Sequence, residues 1–265
     1  MGDMIQENLD GGSTRLTFLS DWKAPLRADL LDHFRSIPQE ERKLYGEGRV
    51  PHFSYKPKGA PSRIFVRQIF RGGMLRFLGN FHLGYRRVEK EVRAVSKARA
   101  ANIPVPSIVA TKAERIFGPF YKLTVILEEI PTAKPVLQRA GNLAQSDRRK
   151  VLEQIGRIIR TMHDNAIYHV DLNVQNILLD ENLNPYIIDL DKAVTLGSPD
   201  GHKGKSVLAR LTRSVEKMNL SLSRADRIRF LRAYLGKSKG IKSLSKACSR
   251  KLWIHRWGWV LFGEA

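Results

Sequence analysis

Apolar positions along the first half of the chain fall mostly into short runs; along the second half they recur at helical spacing. Arg63-Ile64-Phe65-Val66-Arg67-Gln68-Ile69-Phe70 is rich in β-branched and aromatic residues and predicts a strand. Pro57 to Ser62 reads as a hairpin turn before it, and Arg71-Gly72-Gly73 ends it. Val88, Val92, Val95 and Ala98 then recur at i, i+4, i+7 and i+10, which predicts a helix over 85–101. Asn102-Ile103-Pro104-Val105-Pro106 stops that helix, and 108–110 and 123–127 read as two further strands. In the second half, apolar residues at 151, 152, 155, 158, 159 and 162 predict a helix over 148–165. Ile177-Leu178-Leu179 and Tyr186-Ile187-Ile188 read as short strands around a turn at 180–185, followed by helices near 203–219 and 222–236.

This order, a sheet with one inserted helix and then a helix-rich half carrying a strand hairpin, predicts an α+β chain of two lobes. The expected divisions are 1–43 as a polar, partly helical extension with one short helix over 28–34, 44–130 as the first lobe, 131–240 as the second, and 241–265 as a basic, aromatic tail.

Chemistry enters between the two halves of the hairpin lobe. His169-Val170-Asp171-Leu172-Asn173-Val174-Gln175-Asn176 has the form HxDLxxxN, and 13 residues after Asn176 a strand ends in Asp189-Leu190-Asp191. Such a loop followed by such a strand is the signature of phosphoryl transfer, and its position between an amphipathic helix and two apolar strands is the context that signature requires. Asp171 is the candidate catalytic base, a carboxylate able to orient a hydroxyl and take its proton. Asn176 and Asp189 offer the hard oxygens that magnesium prefers, and so are the candidate metal ligands and holders of Mg·ATP. His169 reads as a brace for the loop. Asn173 reads either as a contact to base, acceptor or phosphate, or as a plain turn former.

The remaining nucleotide contacts are sought in the first lobe. Arg67 stands on the strand where a phosphate-gripping cation belongs, and arginine can grip phosphate bidentately. Its expected partner is Glu91, which lies within the apolar stripe of the 85–101 helix, whereas Glu89 faces outward. Gly46 and Gly48 are the candidate phosphate-covering loop, short of a third glycine.

These residues resemble the protein-kinase-like superfamily, and within it the lipopolysaccharide core kinases that act on 3-deoxy-D-manno-octulosonic acid (Kdo). The resemblance is carried by 155–160, Met162-His163-Asp164, 168–173, 176–180 and 188–191, with Val66-Arg67, Arg71-Gly72-Gly73 and Ile103-Pro104-Val105-Pro106 adding to it; it covers about 44 to 235. It implies a protein-kinase-like fold, ATP and Mg²⁺ as cofactors, and a Kdo hydroxyl on a lipid A precursor as acceptor, at the cytoplasmic face of an inner membrane. Asp171, Asn176, Asp189 and Arg67 fall on the family's motif positions. Val170 stands where switchable protein kinases carry arginine, and Ser198-Pro199-Asp200 follows too soon for a long activation segment. A heptose kinase, a small atypical Ser/Thr protein kinase and an inactive binding scaffold remain open as alternatives.

Charge sharpens the partner. The chain has 265 residues and carries 46 Lys+Arg against 26 Asp+Glu, a net +20, so it should seek a polyanion. Arg67, Arg71, Arg76, Arg86 and Arg87 read either as a contact to the anionic glycolipid, with Arg71 the candidate substrate residue, or as a solvated basic face. The tail 246–262 interleaves basic residues with three tryptophans, which suits a membrane interface or packing on the second lobe. No zinc spacing, RNP motif or helix-turn-helix pattern speaks for nucleic acid. A polar start, a single cysteine at 248 and no run of ~18 apolar residues point to the cytosol, and the resemblance adds a peripheral place on the inner membrane.

Overall fold

A computed structural model describes residues 4–45, 52–69, 81–141 and 143–236. The chain divides into two compact units, one of Met1–Val92 with Pro106–Ile130, the other of Arg93–Val105 with Pro131–Ala265.

The first unit is an antiparallel sheet. Its elements are β1 (Met4–Leu9), β2 (Thr14–Leu19), α1 (Lys23–Leu31), β3 (Lys43–Tyr45), β4 (His52–Tyr55), β5 (Ile64–Gln68), β6 (His82–Leu83), the start of α2 (Arg86–Ala100), β7 (Ile108–Phe117) and β8 (Phe120–Glu128). The strand order is β1-β2-β7-β8-β5-β4-β3, with β6 pairing β8. β5 sits inside this order, hydrogen-bonded to β4 on one side and β8 on the other, with Arg67 opposite Val125. Leu16, Phe18, Trp22, Leu26, Leu30, Phe34, Ile64, Val66 and Ile126 share one buried core.

That core corrects the reading of the N-terminus. Residues 1–43 were expected as a polar, partly helical extension; their described part is instead the β1–β2 hairpin and α1, with β2 hydrogen-bonded to β7 over Thr14–Phe18. The physical reason lies in two short patterns. Thr14, Leu16 and Phe18 alternate onto the buried face of β2, and Leu26 and Leu30 lie one helical turn apart on α1, all four of these apolar residues fully buried. The helix expected over 28–34 starts earlier, at Lys23, and ends at Leu31, with His33 and Phe34 at φ 60° and 61° breaking it. The strands expected at 108–110 and 123–127 extend into a long hairpin, β7–β8.

The second unit holds the rest of α2, then β9 (Lys134–Pro135), α3 (Val136–Ala140), α4 (Gln145–Asp164), β10 (Ile167–Tyr168), β11 (Ile177–Leu179), β12 (Pro185–Ile187), β13 (Val194–Thr195), α5 (Gly201–Lys217) and α6 (Arg224–Leu235). Val151, Ile155, Ile159 and Met162 line the buried face of α4 at 3.6-residue spacing. α6 packs against α4 at Gly156, where a Cβ would lie 2.7 Å from the Phe230 carbonyl oxygen. α6 starts with a capping box between Ser223 and Asp226. No helix among the described residues is long and apolar enough to cross a membrane.

Candidate active site

The loop between β10 and β11 is built by its own side chains. His169 is fully buried and its Nε2 meets the Ile188 carbonyl at 3.0 Å, tying the loop to the end of β12. Burial pushes the His169 pKa down, against the pull of that hydrogen bond and the nearby aspartates. The ring is therefore a neutral brace. Leu172, fully buried, and Val174 anchor the far side of the loop in the core.

Asn173 and Asn176 shape what lies between. Asn173 Oδ1 accepts from the backbone N–H groups of Gln175 and Asn176 at 2.8 and 3.3 Å, capping the 3-10 turn Val174–Asn176. Its Nδ2 donates to the Asp171 carbonyl at 3.1 Å. Both ends of the amide are thus spent on the loop, and the geometry supports turn building in place of the substrate contact expected of Asn173. Asn176 Nδ2 donates to the same Asp171 carbonyl at 3.2 Å, and among the described residues its Oδ1 accepts no hydrogen bond, which suits it to a cation. Ile188 N donates to the Asn176 carbonyl at 3.0 Å, so the strand that delivers Asp189 is fastened to the residue that would share its metal.

Asp189 follows at φ 64°, ψ 58°, a left-handed backbone that an aspartate adopts at a cost of about 1 kcal/mol. That turn stops β12 and leaves the Asp189 side chain exposed to solvent. An amide oxygen and a carboxylate suit Mg²⁺, which takes one or two protein oxygens and completes its shell with phosphates and water. No group of three or more His, Cys, Asp and Glu able to hold a metal by itself occurs among the described residues.

Asp171, the candidate base, is held by two cations. Lys192 Nζ donates to its Oδ2 at 2.5 Å and Arg210 Nη2 meets its Oδ1 at 2.7 Å. Burial alone would raise the carboxyl, but Lys192 and then Arg210 outweigh it and hold it below the ordinary aspartate range. Asp171 is therefore ionised and able to accept a hydrogen bond from a hydroxyl. Lys192 comes from the short turn after Asp189, Leu190–Lys192, and Arg210 from α5. Neither was singled out from the sequence. Lys192 carried a signal, a cation directly following Asp189-Leu190-Asp191; Arg210 carried none, since its place depends on how α5 docks.

Docking of α5 is fixed by two contacts. Tyr168, fully buried, accepts a hydrogen bond from the Asp200 backbone N–H through its hydroxyl, and Asp200 caps the helix through His202 N and Lys203 N. Ser214 Oγ accepts from Val174 N at 3.1 Å and donates to the Leu211 carbonyl at 2.7 Å.

In the first unit the structure brings Arg67 and Glu91 together as an ion pair, with Glu91 1% and Arg67 15% exposed. Glu91 is buried because it sits within the stripe of Val88, Ala94, Val95 and Ala98. Glu89 faces elsewhere and meets Arg15 at 3.3 Å. Buried this way, the pair fixes one guanidinium at a defined place on β5, since breaking it would strand a charge. Gly46, Gly48, Arg71 and Arg76, and the tail 241–265, lie outside the described residues.

Comparison with known proteins follows the same lines. A sequence profile described as the lipopolysaccharide kinase (Kdo/WaaP) family matches residues 39–234. Relatives named 3-deoxy-D-manno-octulosonic acid kinase include one from Vibrio cholerae serotype O1, 34% identical over 128 residues, 48% of this chain and about half, 52%, of the relative. One from Photobacterium profundum is 30% identical over 187 residues, covering 69% of this chain and 77% of the relative. One from Vibrio vulnificus is 30% identical over 223 residues, covering 80% and 89%. A solved structure titled "WaaP in complex with acyl carrier protein" superposes with a TM-score of 0.66 at 19% identity, over 94% of this chain and 99% of that one, and shows the protein-kinase-like fold.

Proposed function

This chain belongs to the lipopolysaccharide kinase (Kdo/WaaP) family, and from that premise we propose that it transfers the γ-phosphoryl group of ATP to a hydroxyl of Kdo in a lipid A precursor. Membership and the Kdo kinase relatives make it an ATP-using phosphotransferase with an alcohol acceptor, working in lipopolysaccharide core biosynthesis. The observation that carries the site assignment is Asp171: an ionised carboxylate on the loop, beside an Asn176 whose amide oxygen accepts no hydrogen bond among the described residues.

Geometry supports the roles of Asp171, Asn176, Asp189 and Arg67, while those of Gly46, Gly48 and Arg71 rest on the sequence. Asp171 hydrogen-bonds the acceptor hydroxyl and takes its proton as the oxygen bonds to the γ-phosphorus and the bond to the β-phosphate oxygen breaks, leaving ADP. Asn176 Oδ1 and the Asp189 carboxylate would hold magnesium, which would supply neutralisation of the phosphate charge. Arg67, oriented by Glu91, grips the nucleotide phosphates, and the Gly46–Gly48 pair is assigned to the same phosphates from the sequence alone. Arg71 meets the anionic acceptor. A net charge of +20 suits work on a lipid at the anionic cytoplasmic face of the inner membrane, where this chain would sit as a peripheral protein.

Mass spectrometry of a Kdo-bearing lipid A precursor, incubated with the purified chain and Mg·ATP, tests this. The glycolipid gains one phosphate on its Kdo. A phosphate appearing on a heptose, or on protein with none on glycolipid, overturns the acceptor assignment.

A further inference from the structure

Helix α5 brings Arg210 to the catalytic loop, with Arg213 three residues further along the helix. At that spacing they share a helix face. The Ser214–Val174 hydrogen bond fastens the helix to the turn that follows Asp171, and Arg210 reaches Asp171 itself. Arg213 is half-buried, and among the described residues it makes no hydrogen bond or ion pair. Burial and the positive charge of Arg210 both disfavour its own charge.

A cation partly removed from water and set beside another cation is costly until an anion joins it. No anion on this face is left over to do so through Asp171, because Lys192 occupies its Oδ2 and Arg210 its Oδ1. Two cations thus already share that carboxylate, and Arg213 stands beside Arg210 without a share in it. An anionic ligand seated here supplies the missing charge.

We propose that Arg210 and Arg213 form the subsite for the carboxylate of the acceptor sugar acid, next to the hydroxyl that Asp171 deprotonates. This rests on the acceptor reading above. An octulosonic acid carries a carboxylate, and planar guanidinium forks bind carboxylate bidentately. The subsite is anchored on Asp171, the group that meets the acceptor, whereas the nucleotide phosphates have Arg67 and the Asn176–Asp189 metal site. Arrival of the carboxylate draws Arg210 from Asp171 Oδ1 and opens that oxygen to the acceptor hydroxyl. Recognition of the acid and exposure of the base then become one event.

The test uses the full chain and two acceptors, the Kdo-bearing lipid A precursor and the same glycolipid with its Kdo carboxylate as a methyl ester. Wild type is expected to prefer the acid over the ester by about tenfold to a hundredfold in kcat/KM, the worth of a charge-assisted hydrogen bond. Arg213→Gln loses most of that preference by slowing on the acid, keeps its KM for ATP, and Arg213→Lys recovers part of the loss. An Arg213→Gln enzyme that keeps the wild-type acid-to-ester ratio, or whose loss falls on the KM for ATP, overturns the subsite. Wild type turning over acid and ester equally overturns the subsite alone; wild type turning over neither overturns the sugar-kinase reading with it.

Discussion

Asp171 is held as a poor proton acceptor before substrate arrives, because two cations keep its carboxyl below the usual range. That suits phosphoryl transfer, in which the loose transition state asks more for orientation of the hydroxyl than for a strong base. The sign of the pH dependence follows. A lowered pKa keeps Asp171 ionised to lower pH, so removing one cation lets the proton return earlier as pH falls. Lys192→Met should therefore move the acid limb of the kcat/KM profile to higher pH, read from initial rates across the acid range; an unmoved limb would show that Lys192 does not tune the base. At this scale the sequence was legible where chemistry demands fixed spacing, as in Asp171, Asn176 and Asp189. It was not legible for Lys192 and Arg210, whose meeting with Asp171 depends on a left-handed turn at Asp189 and on the seating of α5. For Asn173 the sequence left a contact role and a turn role open, and the loop hydrogen bonds of its amide speak for the turn.

Among the elements, long periodic segments announced themselves: α2 and α4 lie within a few residues of their predicted spans, and Glu91 was placed by its position in the apolar stripe of α2. The β1–β2 hairpin did not, because its pattern is only six residues long and β1 offers a mostly polar face at the edge of the sheet. What makes it part of the fold is pairing with β7, a partner about a hundred residues away that local pattern cannot reveal. The pairing of α4 with α6 was equally hidden, since Gly156 reads as a weak point in a helix until Phe230 and Ala233 are seen against it. Gly156→Ala tests that contact. Alanine gains about 1 kcal/mol of helix propensity, but a Cβ set 2.7 Å from backbone forces α6 to shift, at a cost of about 1–3 kcal/mol. The denaturation midpoint should fall, and a midpoint at or above wild type would mean that α4 and α6 are not closely packed there.

On the scale of the whole molecule, the chemistry is divided between two compact units: the Arg67–Glu91 pair in the first, and the Asp171 loop, its candidate metal ligands and the α5 arginines in the second. The α+β, two-lobed reading came from the order of elements along the chain and the protein-kinase-like fold from the family resemblance; the order survives even though the first unit recruits its N-terminal residues into the sheet. The excess of basic residues pointed to an anionic partner without saying where it binds; the subsite proposed on α5 is a location that no composition count contains. The central claim is that Asp171 takes the proton of a Kdo hydroxyl while other residues hold the nucleotide. One measurement bears on it most directly: the rate of phosphate transfer to the Kdo-bearing lipid A precursor by wild type and Asp171→Asn, with ATP affinity titrated on the same preparations. The account predicts that Asp171→Asn binds ATP like wild type and loses about 10²–10⁴ in kcat; transfer at close to the wild-type rate would contradict it.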